Sequence, residues 1–338
     1  MGESVRHIRS LWLLALAACA AGVPDPPSLV MPPPDPTLPA VAFPAGHRPF
    51  LSLRRFPPPL PYPAPALDWS PLQPRQASAI AIRLSQPPGP DLEDITASLA
   101  GRPVAITRSG AGWVGVGGLP LDSAGFLEVH LRFRRVGIAD SLIRLVHVSP
   151  RTYPSTRISI SAGAASDPDV DARIERESRQ IRAALLDSAG QWLPAAPFGW
   201  PRPPVQTSPF GQRRVFNGSV SSRHLGLDLR GARGAAVVAP AAGRVVLAGN
   251  FYYQGNAVYL DHGLGLVTAY FHFSSTDVRE GETVEAGQLL GRVGSTGRST
   301  APHLHWSAYV GGENIDPESL IGLTLAPPTP LESAGGGR

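Results

Sequence analysis

Two β-rich domains joined by a single helix are what this sequence predicts, an all-β chain in class, and three observations carry that expectation. Strict alternation sets Leu127, Val129, Leu131 and Phe133 against Glu128, His130, Arg132 and Arg134, the period of a half-buried strand. Beyond Val205 the chain turns rich in Gly, Val and aromatic residues, with strand-like runs at Gly243 to Ala248, Ala257 to Asp261 and Val267 to Phe273. Between these regions only one stretch has helical spacing. It opens at Asp167-Pro168, keeps Ile174, Ile181 and Leu185 on one face, adds the i,i+4 pair Glu175 and Arg179, and ends before Gly190.

A chain of 338 residues has room for two ordinary domains, and 43% hydrophobic with 17% charged residues is a globular composition. All 30 basic residues are arginine and the formal net charge is +4. The arginines are scattered rather than gathered into one stripe, so a nucleic-acid partner is not expected. A basic surface does suit an anionic partner such as a cell wall.

At the N-terminus Arg6 and Arg9 precede the apolar run from Leu11 to Ala18, which reads as a signal peptide over residues 1–18. That run is too short for a permanent membrane span, and no other stretch approaches the roughly 20 apolar residues a span requires. The protein is therefore expected to be exported, to the periplasm or cell envelope. Cys19 is the only cysteine and has no disulfide partner. Leu16-Ala17-Ala18-Cys19 resembles a lipobox, which implies an outer-membrane lipoprotein anchored at Cys19. The other reading is ordinary cleavage that leaves a soluble protein. Residues 19–75, with Pro32-Pro33-Pro34 and Pro57-Pro58-Pro59, read as a semi-rigid spacer. A small β-sandwich is expected over 76–161, the helix over 167–190, an antiparallel β-sheet domain with an open groove over 205–321, and a tail over 322–338. His130 and His147 in the sandwich lack a second ligand type at useful spacing and read as strand-surface or core residues.

The chemistry concentrates in the last third. Read as a strand, His224-Leu225-Gly226-Leu227-Asp228-Leu229 sets an imidazole and a carboxylate on one face, with three leucines on the core side. His303-Leu304-His305 turns two imidazoles to one side in the same way. Two imidazoles and one carboxylate make an open three-ligand set, the kind zinc uses when it is catalytic. His262 reads as structural at a hairpin turn, and Tyr270 as a groove, rim or core residue.

Over roughly Ser208 to Ile321 the chain resembles the lysostaphin and LytM type of peptidoglycan metallo-endopeptidase. The resemblance runs through Ser208-Pro209-Phe210-Gly211, His224 to Asp228, Asp261-His262-Gly263, Tyr270-Phe271-His272 and Ser295 to Trp306. It implies one zinc per chain held by His224, Asp228 and His305, with His272 and His303 as the two active-site histidines that are not ligands. It further implies peptidoglycan stem peptides as substrate, His303 as the base for water, and His272 serving either the oxyanion or the leaving amine. Ala301 stands where the family usually has glycine and Phe273 where it usually has leucine, and neither change removes a ligand.

Two other functions compete. A non-catalytic relative of this fold that activates a cell-wall amidase typically lacks ligands or active-site histidines, and all five positions are intact here. Val284 to Gly291 resembles a lipoyl-carrier hairpin, but such a carrier needs an acceptor lysine and the chain has none. No His-Glu-x-x-His or Gly-x-Ser-x-Gly run occurs.

Overall fold

Along the chain come strands β1 (Leu67–Ser70), β2 (Ala79–Ser85), β3 (Glu93–Leu99), β4 (Arg102–Val104), β5 (Ile106–Ser109), β6 (Gly112–Gly118), β7 (Gly125–Arg135), β8 (Ile138–Val148) and β9 (Ser155–Arg157). Helix α1 (Pro168–Leu186) follows, then β10 (Gln206–Ser208), β11 (Arg213–Phe216), β12 (Ser219–Arg223), β13 (Leu227–Arg230), β14 (Ala236–Val238) and β15 (Gly243–Phe251). The chain continues with β16 (Gly255–Gly263), β17 (Leu266–Thr276), β18 (Thr283–Val284), β19 (Leu289–Val293), β20 (His303–Val310) and β21 (Glu313–Ile315). This computed structural model describes residues 62–157, 167–187, 191–216, 219–323 and 325. The signal peptide, Cys19, most of the Pro-rich segment and nearly all of the tail lie outside them. Among the described residues no helix is long and apolar enough to cross a membrane.

The first β region is a sandwich. One sheet has the order β1-β2-β6-β5 and the other β4-β3-β7-β8. Their inward faces meet at Ile80, Ile82, Leu99, Val129, Leu131, Phe133 and Val146, so the alternation read along 127–134 does mark a core-facing row. One strand departs from the sequence reading, because β1 lies inside the stretch read as Pro-rich spacer. The reason is local: Leu67 and Trp69 alternate with polar neighbours and pack on the sandwich core, and Asp68 meets Arg83 of β2 at 2.7 Å.

Helix α1 starts where expected, with the Asp167 side chain accepting from the Asp169 amide at 2.9 Å. It ends at Leu186, ahead of Gly190, where the Asp187 amide closes the last turn on the Ala183 carbonyl at 3.0 Å. Glu175 and Arg179 pair at 2.7 Å. Leu185 anchors the helix on Leu247, Phe251 and Tyr259 of the large sheet.

That sheet runs β10-β13-β20-β17-β16-β15-β18, with β21 on β20 and β19 joining β17 to β14. Its core is shared with the sandwich, since Ala79, Ala81, Val114 and Val116 sit in one apolar cluster with Leu227, Trp306, Ala308 and Ile315. Gly118 of β6 lies so close to β20 and β21 that a Cβ there would stand 3.0 Å from Val310 and 3.2 Å from Ile315. The Ala79 amide donates to Ser319 Oγ at 2.9 Å and the Asp316 amide to the Ala77 carbonyl at 2.6 Å.

His262 is buried in this sheet. Its Nδ1–H donates to the Ala242 carbonyl at 2.7 Å, and Nε2 accepts from Thr268 Oγ1 at 2.7 Å, which in turn meets the Tyr270 hydroxyl at 2.7 Å. Burial pushes the imidazole down to about 4, so the folded state holds it neutral while the unfolded chain protonates it near 6.5. The folded-state value is the lower one, so its stabilisation is whole above pH 6.5 and is lost as the pH falls toward 4, by an amount on the order of 3 kcal/mol. Denaturant titrations of His262→Phe and the parent at pH 7.5 and 4.5 check this: the acid-induced loss of stability should be smaller in the variant.

Candidate metal centre

β13 and β20 lie side by side, and their register brings the site together. Asp228 pairs with His305 and Arg230 with His303, while Leu227, Leu229 and Leu304 turn into the core. One expectation needs correction, because the strand begins only at Leu227. His224 and Leu225 precede it in irregular backbone, and Leu225 is 39% exposed rather than a core residue. The chain passes close to the site at Gly226, where a Cβ would stand 2.2 Å from His305 Nε2. Only glycine lets the chain pass behind that ring.

The three expected ligands converge. His224 Nε2 lies 3.0 Å from Asp228 Oδ1 and 3.1 Å from His305 Nδ1, and His305 Nδ1 lies 2.9 Å from Asp228 Oδ1. The outer nitrogens fix both tautomers. His224 Nδ1 faces the Pro209 carbonyl at 2.9 Å, which can only accept, so Nδ1 carries the proton. Ser307 Oγ spends its proton on the Leu225 carbonyl at 2.9 Å, so His305 Nε2 donates to Ser307 Oγ at 2.9 Å. His224 Nε2, His305 Nδ1 and the carboxylate oxygen thus aim lone pairs at one point, an arrangement that repels itself unless a cation sits between them. Two imidazole nitrogens and one carboxylate oxygen are donor types that zinc takes, so the residues fit that metal. Burial, the largest cause, would raise Asp228, but the two imidazoles beside it, which favour the carboxylate once they take up a proton, outweigh it and hold the carboxyl below its ordinary range. Burial lowers His305.

Beside this triangle stand His272 and His303, their rings 4.9 Å apart. Each has Nδ1 pinned by a backbone carbonyl, Thr296 at 2.8 Å for His272 and Ala301 at 2.8 Å for His303, which leaves both Nε2 atoms bare. His303 Nε2 comes within 3.5 Å of Asp228 Oδ1. Burial, the largest cause, pushes His272 down to about 4.

His272 reaches the site through an irregularity. Between Tyr270 and Phe273 β17 carries one residue more than β16 does opposite, and His272 takes φ 66°, the left-handed region that L side chains rarely adopt. The bulge separates His272 from Tyr270, which the alternation had put on one face. Tyr270 is fully buried and belongs to the His262 network, whereas Phe271 lies against His305, ring centroids 5.1 Å apart and planes 5° from parallel. Nothing in the alternation marks Phe271 as a site residue. Ser307 also escaped notice, although it lies two residues from His305 on the same strand and therefore on the same face.

Ser307 carries a prediction. Since Ser307 is the hydrogen-bond partner of His305 Nε2 among the described residues, Ser307→Ala should weaken zinc binding about 10- to 100-fold, measurable by competition with a chromogenic chelator. Unchanged affinity would mean that Ser307 does not set the ring.

The model of peptidase family M23 matches residues 222–317. A 124-residue stretch is 40% identical to the "DD-carboxypeptidase/endopeptidase Mpg" of Neisseria meningitidis serogroup B and covers 37% of this chain and 27% of that protein. A 93-residue stretch is 39% identical to the "Peptidoglycan DD-endopeptidase ShyA" of Vibrio cholerae, covering 28% and 22% of the two chains. The chain thus spans about a quarter of the length of these curated relatives. Among solved structures, a peptidase M23 from Pseudomonas aeruginosa superposes with a TM-score of 0.56 at 28% identity, over 74% of this chain and 96% of that one.

Proposed function

From the premise that residues 222–317 form a peptidase M23 domain of the LytM and lysostaphin family, we propose that the protein is a zinc-dependent endopeptidase acting on peptide cross-links of peptidoglycan. The observation that carries this reading is the convergence of three lone-pair donors beside two histidines whose Nε2 atoms are bare. His224, Asp228 and His305 are the proposed ligands. Zinc bound there supplies Lewis acidity, polarising a carbonyl oxygen and making water a competent nucleophile at neutral pH. In this reading His303 Nε2 takes the proton from the attacking water, while the Ala301 carbonyl stabilises the charged ring through Nδ1–H. The proton then passes to the departing amine, so bond cleavage and proton transfer balance. His272, neutral at rest, has no Nε2–H to offer and assists an oxyanion or the amine only after it gains a proton.

The proposed bond is D-alanyl to diaminopimelate, motivated by the signal-peptide reading and by the printed names of the relatives, DD-carboxypeptidase/endopeptidase and peptidoglycan DD-endopeptidase. Digestion of purified sacculi tests it. Cross-linked dimers should be converted to monomers identified by mass, and survival of the dimers would overturn the choice of bond.

A further inference from the structure

We propose that Arg230 is a specificity-determining residue that pairs with a free carboxylate on the substrate. This rests on the endopeptidase reading above and deepens it. Leu227 and Leu229 are buried, so Asp228 and Arg230 share the opposite face of β13, the face that bears the site. Arg230 stands directly across from His303 just as Asp228 stands across from His305. Residues paired in this way have Cβ atoms roughly 4.5–5.5 Å apart, which puts the base of the arginine side chain beside the histidine proposed to move the proton. Arg230 is exposed, and its amide is tied to the Val205 carbonyl at 2.8 Å. Its guanidinium forms no ion pair with a carboxylate among the described residues.

A second exposed arginine, Arg298, belongs to the loop that holds the two histidines. It lies in the loop between Thr296, whose carbonyl holds His272, and Ala301, whose carbonyl holds His303. Its amide is fixed on the Tyr253 carbonyl at 2.9 Å and its guanidinium lies 5.9 Å from the Tyr253 ring. Arg298 likewise pairs with no carboxylate among the described residues. The elements that carry the two histidines therefore also carry two arginines that pair with no carboxylate among the described residues, and a guanidinium has the fork geometry that grips a carboxylate.

The chemistry of the proposed cross-link supplies the missing anion. In a D-alanyl–diaminopimelate bond, the carbon that bears the leaving nitrogen also carries a free carboxylate, whereas a glycyl bridge has none at that place. Arg230 would hold that carboxylate and so orient the scissile bond over the triangle.

Two cross-linked dimers separate the possibilities, one with the diaminopimelate carboxylate free and one with it converted to the carboxamide. Each would be cut by the zinc-loaded chain and by its Arg230→Gln and Arg230→Lys variants, with bound zinc measured in all three. The expected result is that the parent prefers the carboxylate dimer by about 10- to 100-fold in kcat/KM, chiefly through KM. Arg230→Gln should bring that preference toward unity with zinc content retained, and Arg230→Lys should restore part of it. Equal losses on both dimers in Arg230→Gln, or a parent that cuts both equally well, would overturn the assignment of Arg230 and leave the endopeptidase reading standing. A zinc-loaded parent that cuts neither dimer would overturn both.

Discussion

Replacing His305 by alanine is expected to lower zinc affinity by more than about 100-fold and to remove peptidase activity, because removing even an outer partner of a ligand costs about 10- to 100-fold. His305 closes the triangle through its contacts with Asp228 at 2.9 Å and His224 at 3.1 Å, and its other nitrogen reaches Ser307. Its ring also fills the space between Phe271 and Gly226. Alanine leaves two donors, a cavity above Phe271 and a carboxylate with one imidazole partner fewer. Metal content, solubilisation of sacculi and far-ultraviolet circular dichroism should be read together, since a variant that keeps its spectrum while losing metal and activity isolates the site from the fold. Two results would defeat the ligand assignment: a parent that retains no zinc in zinc-containing buffer, or a variant that retains as much as the parent. A parent that binds zinc firmly but releases no peptide would instead defeat the enzymatic reading.

The candidate site was legible in the sequence because two of its proposed ligands, Asp228 and His305, sit where strand alternation is regular. The register of β13 on β20 delivers Asp228 opposite His305, and alternation alone predicts that His303 and His305 face together with Leu304 behind them. Legibility failed wherever the backbone leaves that period. The regular strand starts only at Leu227, after Gly226, where a side chain would strike His305, and Leu225 ahead of it is exposed. The extra residue in β17 rotates His272 away from Tyr270, and although histidine is among the residues enriched at positive φ, that preference is too weak to locate a bulge. Such a conformation costs on the order of 1–3 kcal/mol and persists here because its amide donates to the Gln254 carbonyl at 2.8 Å and its Nδ1 to Thr296. Thr296 itself is pressed against Gly255. At the level of the fold, the sandwich, the helix and the large sheet follow from local pattern. The joint between sandwich and sheet does not, since Ala79, Ala81, Val114 and Val116 carry nothing in their spacing that says which layer they meet.

That joint sets the last expectation: Asp316→Ala should destabilise the protein by about 3 kcal/mol or more, the cost of leaving one member of a buried pair without its partner. Asp316 is 3% exposed and every polar atom it has is in use. One carboxylate oxygen meets Arg151, which follows the last long strand of the sandwich, and the other accepts from the Glu318 amide at 3.0 Å, capping the short helical turn Pro317–Leu320. Its carbonyl accepts from Ser319 Oγ at 2.6 Å, and its amide donates to Ala77. Alanine keeps the two backbone bonds but strands the Arg151 guanidinium, which lies 5.6 Å from the Tyr153 ring with its side chain 23% exposed. For a folded unit of this size each kcal/mol lowers Tm by roughly 2–4 °C, so scanning calorimetry should register a drop of about 6–12 °C. Arg151→Met paired with Asp316→Leu should recover part of the loss, because replacing both charges by apolar groups removes the stranded partner. The proposed zinc ligands His224, Asp228 and His305 are other residues, and zinc content should be unchanged at 25 °C in every variant. A drop in Tm of under about 2 °C for Asp316→Ala would mean that the apolar contacts around Gly118 and Ala79 hold the two layers together without the ion pair, and loss of zinc without loss of Tm would mean that Asp316 acts on the site rather than on the joint.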